Sequence, residues 1–179
     1  MARIPYRNVE DLPEDQRDLL KRPITLHRAL TNSPGAEVED DNWGEVVSEI
    51  RLSGAFDADA LLSIEEFSHV EVIFYFHSVD EANIISGARH PRNNPAWPLV
   101  GVFAQRAKNR PNRLGLTTAR VVERRGRSLF VAGLDAIDGT PVLDIKPMLS
   151  EFLPREEVRQ PAWATNLMSS YWDETLRST

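Results

Sequence analysis

The chain has 179 residues, 41% hydrophobic and 27% charged, which is long enough to bury a real core and most naturally makes one globular domain. It contains no cysteine, so disulfides, thiolate nucleophiles and cysteine-ligated zinc are excluded. The net charge of −6 hides an asymmetry: residues 1–88 sum to −11, residues 89–127 carry ten basic side chains against one acidic, and residues 128–179 sum to −4.

Taken in chain order, "DLPEDQRDLLKR" predicts a short helix. Asp11 suits the cap, Pro13 the first turn, Glu14 and Asp15 the positive end, and Lys21 and Arg22 the negative end. This opening resembles the start of carboxymuconolactone decarboxylase-type proteins over some twenty residues. The peroxidatic members of that group use cysteines, and their chemistry is excluded here. The opening has no apolar core of signal-peptide length and no later run could span a membrane, so a cytoplasmic protein with no membrane partner is expected.

From Ile24 onward the periodicity is that of strands. "VVSEIRL" puts Val46, Ser48, Ile50 and Leu52 on one face. "HVEVIFYFH" puts Val70, Val72, Phe74 and Phe76 on one face and His69, Glu71, Ile73, Tyr75 and His77 on the other. "PLVGVFAQR" reads as a buried strand ending at Arg106, and "GLTTARVVERRGRSLFVAGL" as a hairpin turning at Gly126. "PVLDIKP" is one more short strand, on which Asp144 and Lys146 share a face and are expected to form a local ion pair. Many strands and little helix predict a mainly β fold, a barrel or sandwich. After Pro154 the chain is less regular, although Trp163, Tyr171 and Trp172 imply a docked tail.

The common catalytic motifs are absent: there is no GxSxG elbow, Walker loop, GxGxxG or HExxH. His69 and His77 would stand about 26 Å apart on a straight strand and cannot share a metal, and "DAIDG" has too few oxygen ligands for a calcium loop. No metal is expected. Two features remain. The basic block of residues 89–127 fits either a phosphate-bearing partner or a solvated hairpin that pairs with the acidic segments. "GLDAIDGTPVLDIKP" sets Asp135, Asp138 and Asp144 among small and apolar residues, where a carboxylate is solvated at a turn, paired with a cation, or aimed at a ligand.

"IEEFSHVEVIFYFH" (64–77), "VGVFAQRAKNRPNRLGLT" (100–117) and "GLDAIDGTPVLDIKP" (133–147) resemble, in order and spacing, the TsaA-like family of TrmO-type tRNA methyltransferases. The resemblance runs from about Ile24 to Pro147. It implies a single-sheeted β-barrel with a short N-terminal helix and an irregular C-terminal tail. The corresponding division is 1–23 as a helical extension, 24–154 as the barrel domain, and 155–179 as a tail docking on the barrel or on a dimer partner. It also implies a homodimer that binds S-adenosylmethionine (SAM) and methylates N6 of a threonylcarbamoylated adenosine beside the anticodon of tRNA. The positions matching the family's SAM contacts are His77, Ser78, Arg106, Leu116, Asp135, Ala136, Ile137 and Asp138. Members commonly read "RPNPIG" where this chain reads "RPNRLG", so Arg113 stands in place of a proline.

The residue chemistry is consistent with those roles. A turn of small residues lets backbone approach an adenosine, and carboxylates accept from ribose hydroxyls or the amino group. The bland alternative is that Asp138-Gly139-Thr140-Pro141 is simply a turn. Arg106 could grip the carboxylate of SAM or that of the threonyl group, or close a salt bridge at the barrel rim. His77 could cap the cofactor or be a histidine satisfied by backbone. Lys108, Arg110, Asn112 and Arg113 are the expected phosphate or anticodon-loop contacts, and Tyr75 could stack on a base, although an aromatic in a strand is more often core. His69, His77, Asp135 and Asp138 all stand as candidate general bases. The alternatives from other classes are a non-catalytic SAM- or nucleotide-binding module, a methyltransferase acting on another RNA or a small molecule, and a plain RNA-binding barrel.

Overall fold

The structure, a computed structural model, describes the backbone of residues 25–29, and Trp43 and residues 46–172 in full. The described residues form eight strands: β1 (Thr25–Ala29), β2 (Val47–Leu52), β3 (His69–Tyr75), β4 (Ala88–Arg89), β5 (Val100–Gly101), β6 (Leu114–Arg125), β7 (Ser128–Ala132) and β8 (Pro141–Pro147). Six of them close into a barrel in the order β1-β2-β7-β6-β3-β8, every pairing antiparallel. Closure rests on two pairs, Thr25 with Val142 and Leu26 with Pro141. The helical extension expected over residues 1–23 lies outside the described residues. Among the described residues no helix is long and apolar enough to cross a membrane.

The alternation read from the sequence is the alternation of burial. Val70, Val72 and Phe74 of β3 are buried, as are Val46, Ser48, Ile50 and Leu52. The core also takes Ala119 from β6, Leu129 and Val131 from β7, and Val142 from β8. Burying such side chains contributes about 1.5–3 kcal/mol each. Glu49, on the outward face of β2, is buried as well, and its carboxylate accepts from Ser128 Oγ at 2.6 Å and Arg51 Nε at 3.1 Å. The β6–β7 hairpin turns at Gly126-Arg127, with Gly126 at φ 58. That is the position a type II′ turn reserves for glycine.

Two expectations need correction. "PLVGVFAQR" is not a buried strand. Only Val100–Gly101 is extended, pairing with Ala88–Arg89 as a small ribbon apart from the barrel sheet. The run then tightens into a 3₁₀ turn over Val102–Ala104, of which Val102 alone is buried, while Leu99 and Phe103 stand 63% and 74% exposed. An apolar run without alternation cannot by itself distinguish a strand from a turn that buries one residue in three. The C-terminal tail is also more regular than expected, since it contains a short helix, α1 (Ala162–Leu167).

β3 and β6 pair over seven residues, and Phe74 lies opposite Gly115. A Cβ built on Gly115 would overlap the ring of Phe74, so the ring occupies the space over the glycine. Gly115→Ala is therefore expected to displace Phe74 and destabilise the fold by about 1–3 kcal/mol, the cost of overpacking. Urea denaturation of the two proteins side by side, read at constant slope, measures it.

Candidate functional site

Strict antiparallel alternation sends the C-terminal ends of β1, β3 and β7 and the N-terminal ends of β2, β6 and β8 to one end of the barrel. The three segments singled out in the sequence all lie there. Residues 76–78 leave β3, residues 102–113 lead into β6, and residues 133–140 join β7 to β8. The opposite end carries the Gly126 hairpin, the crossover from β2 to β3, and His69, whose Nδ1 is 2.9 Å from Ser68 Oγ. His69 and His77 thus sit at opposite ends of β3. Among the described residues no three His, Asp or Glu side chains group so as to hold a metal ion.

The 133–140 segment is anchored by alternation. Leu134 and Ala136 point into the core, 0% and 5% exposed, which leaves Asp135 half-buried and Ile137, Asp138 and Gly139 facing out. The turn itself closes one residue earlier than the sequence suggested, with Thr140 N–H donating to Ile137 O at 3.2 Å and Gly139 at φ 77 in its third position. Positive φ there is the requirement of a type II turn, which glycine meets without strain. Asp135 Oδ2 accepts a hydrogen bond from the Tyr171 hydroxyl at 2.8 Å. Asp144 behaves as read: its Oδ2 is 2.6 Å from Lys146 Nζ, and that carboxylate holds the lysine above its usual pKa.

The loops after β3 and before β6 are stitched together. Phe76 N–H donates to Arg113 O at 2.8 Å, Ile85 N–H to Asn109 O at 3.0 Å, and the Asn109 amide to Asn83 O at 2.9 Å. Arg113 is the main brace. Its guanidinium donates to Val79 O at 3.0 Å, reaches Glu81 at 3.4 Å, and lies over the Tyr75 ring with its carbon 5.0 Å from the centroid. Arg106 Nη2 donates to the carbonyl oxygen of Leu116, tying two of the expected cofactor positions directly together. His77 and Ser78 are exposed at the exit of β3. Asn112 Oδ1 lies 3.4 Å from Leu114 N, at the entry to β6. Lys108 is exposed and Arg110 half-buried, and neither side chain makes a hydrogen bond or ion pair among the described residues.

The basic block of the sequence does not make one surface. Arg124 donates to Ala58 O at 3.0 Å, Arg127 to Ser53 O, and Arg125 pairs with Glu123, all at the hairpin end. Arg89 donates to Asn93 Oδ1 at 2.7 Å. Loop residues 106–113 bring Arg106, Lys108, Arg110 and Arg113 to the end that carries the 133–140 turn. Sequence reasoning named Tyr171 as an aromatic of a docked tail but missed its contact with Asp135, which is 36 residues away and which no local pattern reports.

The family model of the tRNA-methyltransferase O N-terminal domain matches residues 27–152. The chain belongs to this family. A probable S-adenosyl-L-methionine-binding protein of Pyrococcus abyssi is 42% identical over 140 residues, 77% of this chain and 72% of the relative. The tRNA (adenine(37)-N6)-methyltransferase of Homo sapiens is 38% identical over 111 residues, 62% of this chain but 25% of the relative. The enzyme of the same name from Escherichia coli is 33% identical over 147 residues, 78% of this chain and 60% of the relative. The chain therefore spans a quarter of the human relative's length. A crystal structure of TrmO superposes with a TM-score of 0.60 at 29% identity, over 77% of this chain and 61% of that one.

Arg113 has φ 50, in the left-handed region. Its N–H donates to Arg110 O at 3.0 Å. Proline, the residue common at this place in the TsaA-like pattern, can supply neither the angle nor the N–H. Arg113→Pro is expected to destabilise this chain by more than about 1 kcal/mol, despite matching the pattern. A lower urea midpoint for the variant checks this.

Proposed function

We propose that the chain is a SAM-dependent methyltransferase of tRNA, that it binds SAM at the barrel end formed by residues 76–78, 106–116 and 133–140, and that its target is N6 of a threonylcarbamoylated adenosine beside the anticodon. The observation that carries the proposal is the convergence of three segments, far apart in sequence, on one end of a barrel in a family named for tRNA methyl transfer. The donor set fits the cofactor. Asp135 and Asp138 offer carboxylates, which suit ribose hydroxyls, an amino group, and the positive charge of a sulfonium and an ammonium. Gly139 keeps the turn small enough for close approach, and Ala136, whose side chain points into the core, offers its backbone. Leu116 and Ile137, 42% and 45% exposed, offer apolar surface to an adenine ring. Arg106 has the planar fork that grips a carboxylate.

SAM supplies a methyl group already bonded to a good leaving group. The protein's share of the work is then positioning, which can contribute several orders of magnitude in rate. The turn and Arg106 hold the donor, and Lys108 and Arg110 hold RNA phosphates beside it. Of the four candidate bases, His69 lies at the far end of the barrel, so His77, Asp135 and Asp138 are the groups placed to take a proton from the target nitrogen. We also propose a homodimer acting in the cytoplasm. Leu99, Phe103, Leu114, Leu116 and Ile137 are exposed in and around the loops of this end, apolar surface suited to a second copy.

Calorimetry is expected to show SAM binding by the wild type, weakened about tenfold or more in Asp138→Ala by the loss of a charge-assisted hydrogen bond. No binding at millimolar SAM would end the cofactor assignment. Filter binding to tRNA is expected to weaken as salt rises, and the pair Lys108→Glu and Arg110→Glu should lower affinity for many tRNAs alike while leaving SAM affinity in place. Labelled methyl transfer to tRNA separates an enzyme from a SAM-binding module. Light scattering should give twice the chain mass, and a monomer that binds SAM tightly would refute the dimer.

A further inference from the structure

We propose that Tyr171 is a positioning residue for the cofactor turn, acting through the carboxylate of Asp135; this rests on the reading of residues 133–140 as the SAM-binding segment. The backbone on both sides of Asp135 is fixed by buried anchors, Leu134 and Ala136. Ala136 N–H also donates to Leu134 O at 2.9 Å, which closes the backbone tightly around Asp135. What a fixed backbone leaves open is the rotation of the side chain about its own bonds. The Tyr171 hydroxyl, 2.8 Å from Oδ2, restrains that rotation.

Tyr171 is itself built in. Its N–H donates to Met168 O at 3.1 Å, and Met168 N–H to Ala164 O at 3.1 Å, so the strap continues directly from α1. Its ring meets Trp172 edge-on, with centroids 4.7 Å apart and planes at 85°. Trp172 in turn lies against the start of the turn, where a Cβ on Gly133 would stand 3.4 Å from Cζ3. Gly133 has φ 81, so a side chain at this position would be strained as well as pressed against the indole. The strap therefore touches the cofactor turn twice, at Gly133 through packing and at Asp135 through a hydrogen bond. A phenol donates without bringing a positive charge, so it orients the carboxylate and leaves the negative charge that a sulfonium or ammonium needs.

The test is Tyr171→Phe in the full chain, which removes the hydroxyl and keeps the ring against Trp172. Calorimetry with SAM is expected to show an affinity loss of about tenfold or more, the scale of one hydrogen bond to a charged group. The unfolding temperature measured without cofactor should stay close to wild type. In the background of Asp135→Ala the same change should cost nothing further, because the hydroxyl acts through that carboxylate. A variant with a lowered unfolding temperature and unchanged SAM affinity would make Tyr171 merely structural and overturn the proposal. Tighter SAM binding would also overturn it, as the mark of an obstructing strap, and so would an additive loss in the double variant. If the wild type itself binds no SAM, the parent reading fails, and that outcome is distinct from a wild type that binds and a Tyr171→Phe protein that binds equally well.

Discussion

The packing of Phe74 over Gly115 fixes the register of β3 against β6, and the geometry of the site depends on that register. A slip of one residue would carry Val70, Val72 and Phe74 to the outer face and bring Ile73 and Tyr75 in. The same pairing decides where the two flanking loops meet. With Tyr75 opposite Leu114, the chain leaving β3 and the chain entering β6 are adjacent, and Phe76 can donate to Arg113 O. A large aromatic against a glycine is an economical lock, because no other residue at position 115 leaves room for the ring.

Curvature then brings the remaining segment to the same end. Two register shifts interrupt the ladders, one between Ile73 and Phe74 against β8, the other between Val121 and Glu123 on β6. Irregularities of this kind bend a strand and increase its local twist. β6 is long enough to use both neighbours: residues 114–120 pair with β3, and residues 120–125 with β7. A flat sheet would separate β7 and β8 by the full width of two strands. The curled one lets the eight residues from Gly133 to Thr140 make the connection while Leu134 and Ala136 still reach the core.

How much of this the sequence discloses depends on the range of the interaction concerned. Period-two alternation in "HVEVIFYFH" and "VVSEIRL" was legible because burial acts residue by residue along one strand. The Gly126 turn and the Asp144–Lys146 pair were legible because both are local. Residues 133–140 could be singled out for a cofactor only by resemblance, since "DAIDG" on its own is as good a solvated turn as a ligand loop. Contacts closed by the fold were not legible. The hydroxyl of Tyr171 on Asp135, the Ser128 hydroxyl on the buried Glu49, and Arg127 on Ser53 O join residues 36, 79 and 74 positions apart. "PLVGVFAQR" misled because Leu99 and Phe103 face solvent, which hydrophobicity alone does not reveal.

The arginines show how a charge block can carry two meanings at once. Arg113, Arg124 and Arg127 use their guanidiniums to satisfy backbone carbonyls, which is structural work that a fork of donors does well. In the 106–113 loop, Lys108 and Arg110 have no such partner among the described residues. Each phosphate neutralised contributes about 0.7 to the salt slope on single strands and about 0.9 on duplex DNA, so Lys108 and Arg110 together would supply a slope of only about 2 or less. Charge of that size would hold RNA only loosely, and phosphate contacts carry no sequence information. Under the proposed function, choice of a particular nucleoside must then come from contacts to the base itself at the end that carries the 133–140 turn, which charge alone does not supply.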